Sequence, residues 1–247
     1  GNLVSALHPN AVQSTYEYDS RDRLTSVRHA SGGTTIRSFT YSLGAVGNRT
    51  RVVEDTGRTI DYTYDPLFRL TSETLTDPGQ PAMAITYAYD AVGNRISRSG
   101  PGGTVSYTYD ADSRQWTNGS ETLTWDANGN LVRRASGASA TTYEYDAQNQ
   151  LVRTLSAGGE TTFAYDAMGH RVSRTDASGA TQYLVDPFGA RGLSAVLRET
   201  SAAGAIDYVL ANRSLVSMRR PAGVSFFLQD GHDSTRLLMD VDGHVTD

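Results

Sequence analysis

The sequence predicts an all-β chain built from repetitive antiparallel β-hairpins, and three observations predict it. First, all fourteen tyrosines fall on one motif, Tyr-x-Tyr-Asp or a relaxed copy of it. Second, the closing aspartate recurs about every 20 residues, as at Asp90, Asp110, Asp126, Asp146, Asp166 and Asp186. Third, short runs rich in β-branched and aromatic residues are each closed by turn residues, and no stretch sustains the i, i+3, i+4, i+7 apolar pattern of a helix. A fixed period of this length marks a repeat architecture.

The intact motifs are Tyr16 and Tyr18 before Asp19, Tyr62 and Tyr64 before Asp65, Tyr87 and Tyr89 before Asp90, Tyr107 and Tyr109 before Asp110, and Tyr143 and Tyr145 before Asp146. Relaxed copies are Phe39-Thr40-Tyr41-Ser42, Leu123-Thr124-Trp125-Asp126, Phe163-Ala164-Tyr165-Asp166, Tyr183-Leu184-Val185-Asp186 and Tyr208-Val209-Leu210-Ala211, with a degenerate copy at Gln229-Asp230. In the type unit, Asp146 to Asn149 opens a turn and Gln150 to Ser156 forms a strand. Ala157-Gly158-Gly159 turns again, and Glu160 to Tyr165 returns.

Alternation in a strand places the two aromatic rings of each motif on one face, with Glu17, Thr63, Ala88, Thr108 or Glu144 on the other. Neighbouring repeats then stack the rings as cross-strand pairs. The aspartate leaves the strand, and its carboxylate can accept backbone N–H bonds two or three residues on. Three residues after it stands a position suited to positive φ: Gly93, Gly129, Gly169 and Gly189, or Asn149 and Asp22. Phe68 and Ser113 hold that place in two copies and predict a different turn geometry there.

The spacing predicts one continuous array over residues 1–190, in units of about 20 residues, followed by degenerate repeats over 191–247. Both ends look cut within the pattern. Gly1-Asn2-Leu3-Val4 matches Gly129-Asn130-Leu131-Val132, and Asp242 to Asp247 reads as a turn and a strand without a following partner. The expectation is a piece of a longer chain. About twenty short strands cannot remain a flat open sheet and must curl or close.

Composition narrows the functional classes. The net charge of −5, without a basic stripe, excludes a nucleic-acid footprint. No cysteine is present, which excludes disulfides, thiol catalysis and cysteine metal sites. No apolar run reaches the length of a membrane-spanning helix, and no signal-peptide pattern opens the sequence. All 22 basic residues are arginine, which suits stacking on tyrosine, although a coding bias explains it more simply.

Candidate chemistry is sparse. His232-Asp233-Ser234 brings three triad residue types together, but adjacent residues on an extended chain point in different directions. His8, His29, His170 and His244 keep no metal-ligand spacing. Asp240-Val241-Asp242-Gly243 and Asp126 to Asn130 resemble the start of a calcium loop, yet both lie in register with ordinary repeat turns, and neither has the closing glutamate. Asn48, Asn118 and Asn212 begin glycosylation sequons that arise readily by chance. No cofactor, metal or catalytic residue is expected. The recurrent aspartates read as turn formers and the tyrosines as strand-to-strand packing.

The repeated Tyr-x-Tyr-Asp-Ala-x-Gly-Asn-Arg of Tyr87 to Arg95, echoed in Tyr165 to Arg171, resembles the YD repeats of rearrangement-hotspot (RHS) proteins. Phe226 to Arg236, followed by Asp240-Val241-Asp242-Gly243, is similar to the segment near the C-terminal end of the RHS core. It departs at Gln229, where histidine is usual, and at Asp233, where glycine is usual. Members of that family wind β-hairpins into a hollow shell around a toxin or other variable C-terminal domain. Many carry an aspartate-based self-cleavage site after the core, which no residue here matches. Related arrays occur in wall-associated bacterial proteins, insecticidal toxin complexes and teneurin receptors.

The resemblance implies a curved sheet forming part of a β-cage, without enzymatic activity. Its partners would be the remainder of its own shell, an enclosed C-terminal cargo, and a secretion-system or surface component, in a secreted or cell-surface setting. The alternative is a cell-surface adhesion array that binds carbohydrate or protein through the longer repeats around Thr50 to Thr59 and Thr76 to Met83. A carbohydrate hydrolase would need a carboxylate pair in a cleft and is the weakest of the three.

Overall fold

The computed structural model describes residues 1–189, 193–211 and 214–247. Among the described residues there are 23 strands, and every strand pairing is antiparallel. No helix is long and apolar enough to cross a membrane. The chain divides into two units. Unit 1 comprises Gly1–Val105 and Ser225–Asp247, and unit 2 comprises Ser106–Val224.

In unit 1 the strands follow one another as a meander. They are β1 (Ser5–Leu7), β2 (Val12–Tyr18), β3 (Leu24–Ser31), β4 (Thr34–Leu43), β5 (Arg49–Glu54), β6 (Thr59–Tyr64), β7 (Leu70–Thr76), β8 (Met83–Tyr89) and β9 (Arg95–Gly100). Each of these pairs with the next. The returning segment adds a hairpin of β22 (Gly223–Gln229) and β23 (Thr235–Met239), in which Phe226 opposes Met239.

Unit 2 is a second meander from β10 (Gly103–Tyr109) to β21 (Ser214–Arg220). It is well represented by β12 (Glu121–Trp125), β13 (Leu131–Ser136), β14 (Ser139–Tyr145), β15 (Leu151–Ser156) and β16 (Gly159–Tyr165). The type unit of the sequence is the β15–β16 hairpin, closed where Ser156 pairs with Gly159.

One irregularity recurs at a fixed place in the motif. The register slips between the outward residue and the second aromatic, at Glu17/Tyr18, Thr63/Tyr64, Ala88/Tyr89, Thr108/Tyr109, Thr124/Trp125, Glu144/Tyr145 and Ala164/Tyr165. An extra residue on one strand bends that strand and increases local twist. The repeated slip therefore turns each motif toward its aspartate turn in the same sense.

In β4 the slip falls between Ser42 and Leu43, and the turn that follows opens at Gly44. The relaxed copy assigned to Phe39-Thr40-Tyr41-Ser42 is thus two residues out of register. Tyr41 and Leu43 hold the two aromatic places, and Gly44 holds the aspartate place. The motif had decayed at its aspartate, and Ser42 was the nearer polar residue.

The two units differ in how they are held. Unit 1 has two buried clusters. Val27, Phe39, Tyr41 and Val52 form one, with Tyr16, Leu24, Leu43, Ile60 and Tyr62 packed on it. Val12, Leu228 and Met239 form the other, with Ile36 and Leu237. In unit 2 Tyr107, Ala135 and Met218 are buried, but most motif rings are only half covered. Unit 2 therefore depends on pairing between neighbouring strands, as in a repeat protein, where each unit contacts only its neighbours.

Candidate functional site

The repeated motif is the most regular constellation among the described residues, and its aspartates and second aromatics are hydrogen-bonded within the array. In the Asp65 turn, Asp65 N–H donates to the Arg69 carbonyl (3.0 Å) and Phe68 N–H donates to the Asp65 carbonyl (2.9 Å). The carboxylate Oδ1 accepts the N–H groups of Leu67 and Arg69, both at 2.9 Å. Its Oδ2 accepts from Arg69 Nε at 2.6 Å. The same pattern holds at Asp19, Asp90, Asp110, Asp126 and Asp166. At Asp146 the backbone half is present, with Gln148 and Gln150 donating. The carboxylate therefore reaches the second and fourth residues beyond it, not the second and third.

The fourth position is a site residue that the motif search missed. It carries Arg23, Arg69, Arg114, Asn94, Asn130, His170 or His244, all side chains with an N–H to offer Oδ2. Arg23 and Arg69 do more. Their Nη1 atoms donate to the first carbonyl of the next turn, Gly44 at 2.8 Å and Asp90 at 3.1 Å, so one guanidinium ties two successive turns. Asn130 reaches across to Asn149 Oδ1 in the same way. The recurrence of Arg, Asn, Gln or His four residues past the aspartates was the signal available in the sequence.

These bonds favour the ionised carboxylates. The Arg23 side-chain bond, aided by its backbone N–H, holds Asp19 down to about 2. Asp126 and Asp166 are also lowered, first by the side chain of Asn130 and by the backbone N–H of His170 respectively. A group charged this firmly does not shuttle protons near neutral pH.

The second aromatic of each motif is anchored by its polar tip. The hydroxyls of Tyr18, Tyr64, Tyr89, Tyr145 and Tyr165 donate to the carbonyls of Leu3, Arg49, Leu70, Leu131 and Leu151 at 2.7–3.1 Å, and Trp125 Nε1 donates to the Gln115 carbonyl at 2.8 Å. The acceptor is the strand residue that follows the preceding turn. Each ring thus spans from its own repeat to the one before. A neutral hydrogen bond contributes roughly 0.5–1.5 kcal/mol net. Tyr89→Phe should therefore lower stability by about 1 kcal/mol, read from native-state amide exchange in β7 and β8, with little effect on unit 2.

The turn residue with positive φ is more tolerant than its composition suggests. Gly93, Gly129, Gly169, Asp22 and Asn149 all adopt it. Phe68 and Ser113 adopt it as well, at φ 60° and 61°, so the expected difference in turn geometry is overturned. The two aspartate carboxylates impose the turn in spite of the side chain. Gly189 is the reverse case. Its φ lies outside the left-handed region, and a Cβ there would stand 2.7 Å from the Leu193 carbonyl oxygen, so close approach requires the glycine. A non-glycine residue in the left-handed region costs roughly 1–2 kcal/mol, partly offset by the flexibility of glycine when unfolded. Phe68 is mostly exposed. Phe68→Gly should therefore stabilise unit 1 by about 0.5–1 kcal/mol, seen as a higher urea midpoint; a lower midpoint would contradict the strain.

The buried polar groups of unit 1 gather where the β22–β23 hairpin meets the first repeats. His8 Nε2 lies 2.9 Å from Ser14 Oγ, Ser14 Oγ lies 2.8 Å from His29 Nδ1, and His29 Nε2 lies 2.8 Å from the Gln229 carbonyl oxygen. Ser14 and His29 are 0% and 2% exposed. Beside this chain, Gly231 N–H donates to the Tyr41 hydroxyl and its carbonyl accepts from Arg49. A Cβ on Gly231 would come within 2.7–2.8 Å of the Leu24, Arg49 and Tyr41 side chains, so a larger residue would displace them. The Arg49 guanidinium also stacks 4.0 Å from the Tyr41 ring centre. On the other side Arg236 donates to buried Glu54 (2.8 Å) and to Asp230 (3.1 Å), and its guanidinium lies 4.9 Å from the Phe39 ring centre. Asn10 Nδ2 donates to the Asp240 carbonyl. These side chains come from distant parts of the sequence and share no motif, so their meeting was not legible there.

Among the described residues, several candidate groups fall on repeat turns or buried contacts. The Ser14–His29 pair is sealed from solvent. His232, Asp233 and Ser234 form the turn after β22, where Asp233 takes φ 60° and the N–H groups of His232 and Ser234 donate to Asp230. Asp240, Asp242 and His244 have ligand atoms within 4.8 Å of one another, but Asp240 Oδ1 is already engaged by two backbone N–H groups of its repeat turn. The sequon at Asn212 lies outside the described residues.

Comparison with known proteins places this geometry in context. A family model described as the teneurin YD-shell matches residues 10–246. No curated protein sequence matches the chain. Among solved structures, a TcdB2-TccC3-Cdc42 crystal structure is 16% identical over 98% of the chain, with a TM-score of 0.59. A TcdB2-TccC3-TEV structure is 17% identical over 99%, with a TM-score of 0.60. A Photorhabdus luminescens Tc holotoxin pore is 16% identical over 98%, also with a TM-score of 0.60. The chain spans 15%, 15% and 14% of those three chains respectively, and at such identity the likeness is one of fold.

Proposed function

The chain belongs to the teneurin YD-shell family, and we propose on that basis that it forms a stretch of wall in a hollow β shell that encloses a C-terminal toxin or other secreted effector. The observation that carries the proposal is the continuous run of antiparallel repeats in which motif carboxylates, tyrosine hydroxyls and turn arginines bond to the array itself. Groups engaged in this way build a surface. A wall needs no catalytic residue, because it isolates its contents by sterics.

The adhesion alternative gains nothing from the longer inter-strand segments. Thr56 and Arg58 belong to a tight hairpin in which Gly57 N–H donates to the Glu54 carbonyl, and Arg58 lies 3.6 Å from Asp77 of the other segment. This ion pair links the two segments at one point. Protection from protease tests the shell. In the full-length gene product, the domain that follows this segment should survive a protease dose that digests the same domain alone. Equal cleavage of the two would contradict enclosure.

A further inference from the structure

The hydrogens along the buried path from His8 to Gln229 can be counted. The Gln229 carbonyl only accepts, so His29 Nε2 carries a hydrogen, and in the neutral ring Nδ1 does not. Nδ1 therefore accepts the Ser14 hydroxyl hydrogen, and Ser14 Oγ accepts in turn from His8 Nε2. The Ser14 hydroxyl and both ring nitrogens of His29 are satisfied at this proton count. A proton added to His29 Nδ1 reverses its bond to Ser14 Oγ and places a positive charge on a ring that is 2% exposed. Burying a charge without a paired counter-charge is costly.

The surroundings do not compensate such a charge. On β2 the flanking titratable groups are Tyr16 and Tyr18, with Glu17 on the opposite, exposed face. On β3 Arg28 bonds to Thr35 and the Gly33 carbonyl. On β4 the cross-strand neighbour of His29 is Arg37, itself a cation, 3.9 Å from Asp55. From the hairpin, Asp230 is taken by its turn and Arg236, while His232 and Asp233 lie in that turn. Glu54 is paired with Arg236, and Asp240 with its own turn and His244. Among the described residues neither His8 nor His29 is hydrogen-bonded to a carboxylate.

We propose that this path is an acid-sensitive clasp, which holds the β22–β23 hairpin on the first repeats near neutral pH and releases it on acidification. Burial lowers the His29 pKa, against the bond to Gln229 and with the help of the His8 charge; burial lowers His8 too. The folded value lies below the ordinary value of about 6.5. The stabilisation is therefore complete above that pH and is lost as pH falls through the folded value. One proton taken up on release corresponds to roughly a tenfold change per pH unit. The proposal does not depend on what the array encloses.

Amide exchange of the 247-residue chain between pH 7.5 and 5, corrected for intrinsic rates, tests it. Protection of amides in β22 and β23 should fall about tenfold per unit below pH 6.5, while β14 to β16 stay constant. His29→Gln, which retains a donor for Gln229, should flatten the response. His8→Gln, which keeps a donor for Ser14 Oγ, should keep the fall in protection, because His29 remains the titrating group. The clasp is overturned if His29→Gln loses protection with the wild-type pH profile, or if both units lose protection together. Should His29→Gln fail to fold, the His8→Gln arm decides: a folded variant without the pH response overturns the assignment to His29.

Discussion

Phe39→Ala is expected to lower the stability of unit 1 by about 3–5 kcal/mol, the range for deleting a buried aromatic side chain. Phe39 is 0% exposed, sits among Val27, Tyr41 and Val52, and supports the Arg236 guanidinium. The loss should be read as amide exchange in β3 to β5 and in the β22–β23 hairpin, because all of these meet at the same cluster. Strands of unit 2 should keep their protection, since stability in repeat arrays is carried by nearest neighbours. A loss below about 1 kcal/mol would mean that the cluster is not the core of unit 1.

Arg236→Met should cost nearly as much, about 3 kcal/mol, for an electrostatic reason. Glu54 is 5% exposed, and its carboxylate would be left buried without the cation that now bonds to it. Breaking one partner of a buried pair costs roughly 3–5 kcal/mol, and the partial exposure of Arg236 places this case at the lower end. Methionine keeps the apolar stem over Phe39, so the charge is the main change. Adding Glu54→Gln removes the orphaned charge and should recover at least half of the loss in urea unfolding. A double variant no better than the single one would show that packing, not charge, holds the hairpin at that point.

The period of the tyrosines was enough to read the antiparallel strands, the shared ring face and the aspartate turns, because each depends on residues a few positions apart. Tyr-x-Tyr places two rings on one face by alternation alone, and Asp65 finds its acceptor pattern within four residues. The errors came where local chemistry overrode residue type. Phe68 and Ser113 take a conformation their side chains disfavour because the carboxylate of the turn fixes it. The β4 copy slipped by two residues because glycine had replaced aspartate at its turn. What sequence could not show was the seam of unit 1. His29 meets Gln229 and Glu54 meets Arg236 across gaps of 200 and 182 residues, and no periodicity encodes those pairs.

The enclosure itself is tested most directly by electron cryomicroscopy of the full-length protein. The account predicts that residues 10–246 form a continuous part of a closed β wall, with density for the following domain on its inner side. An open array, with that domain outside and fully solvated, would contradict it.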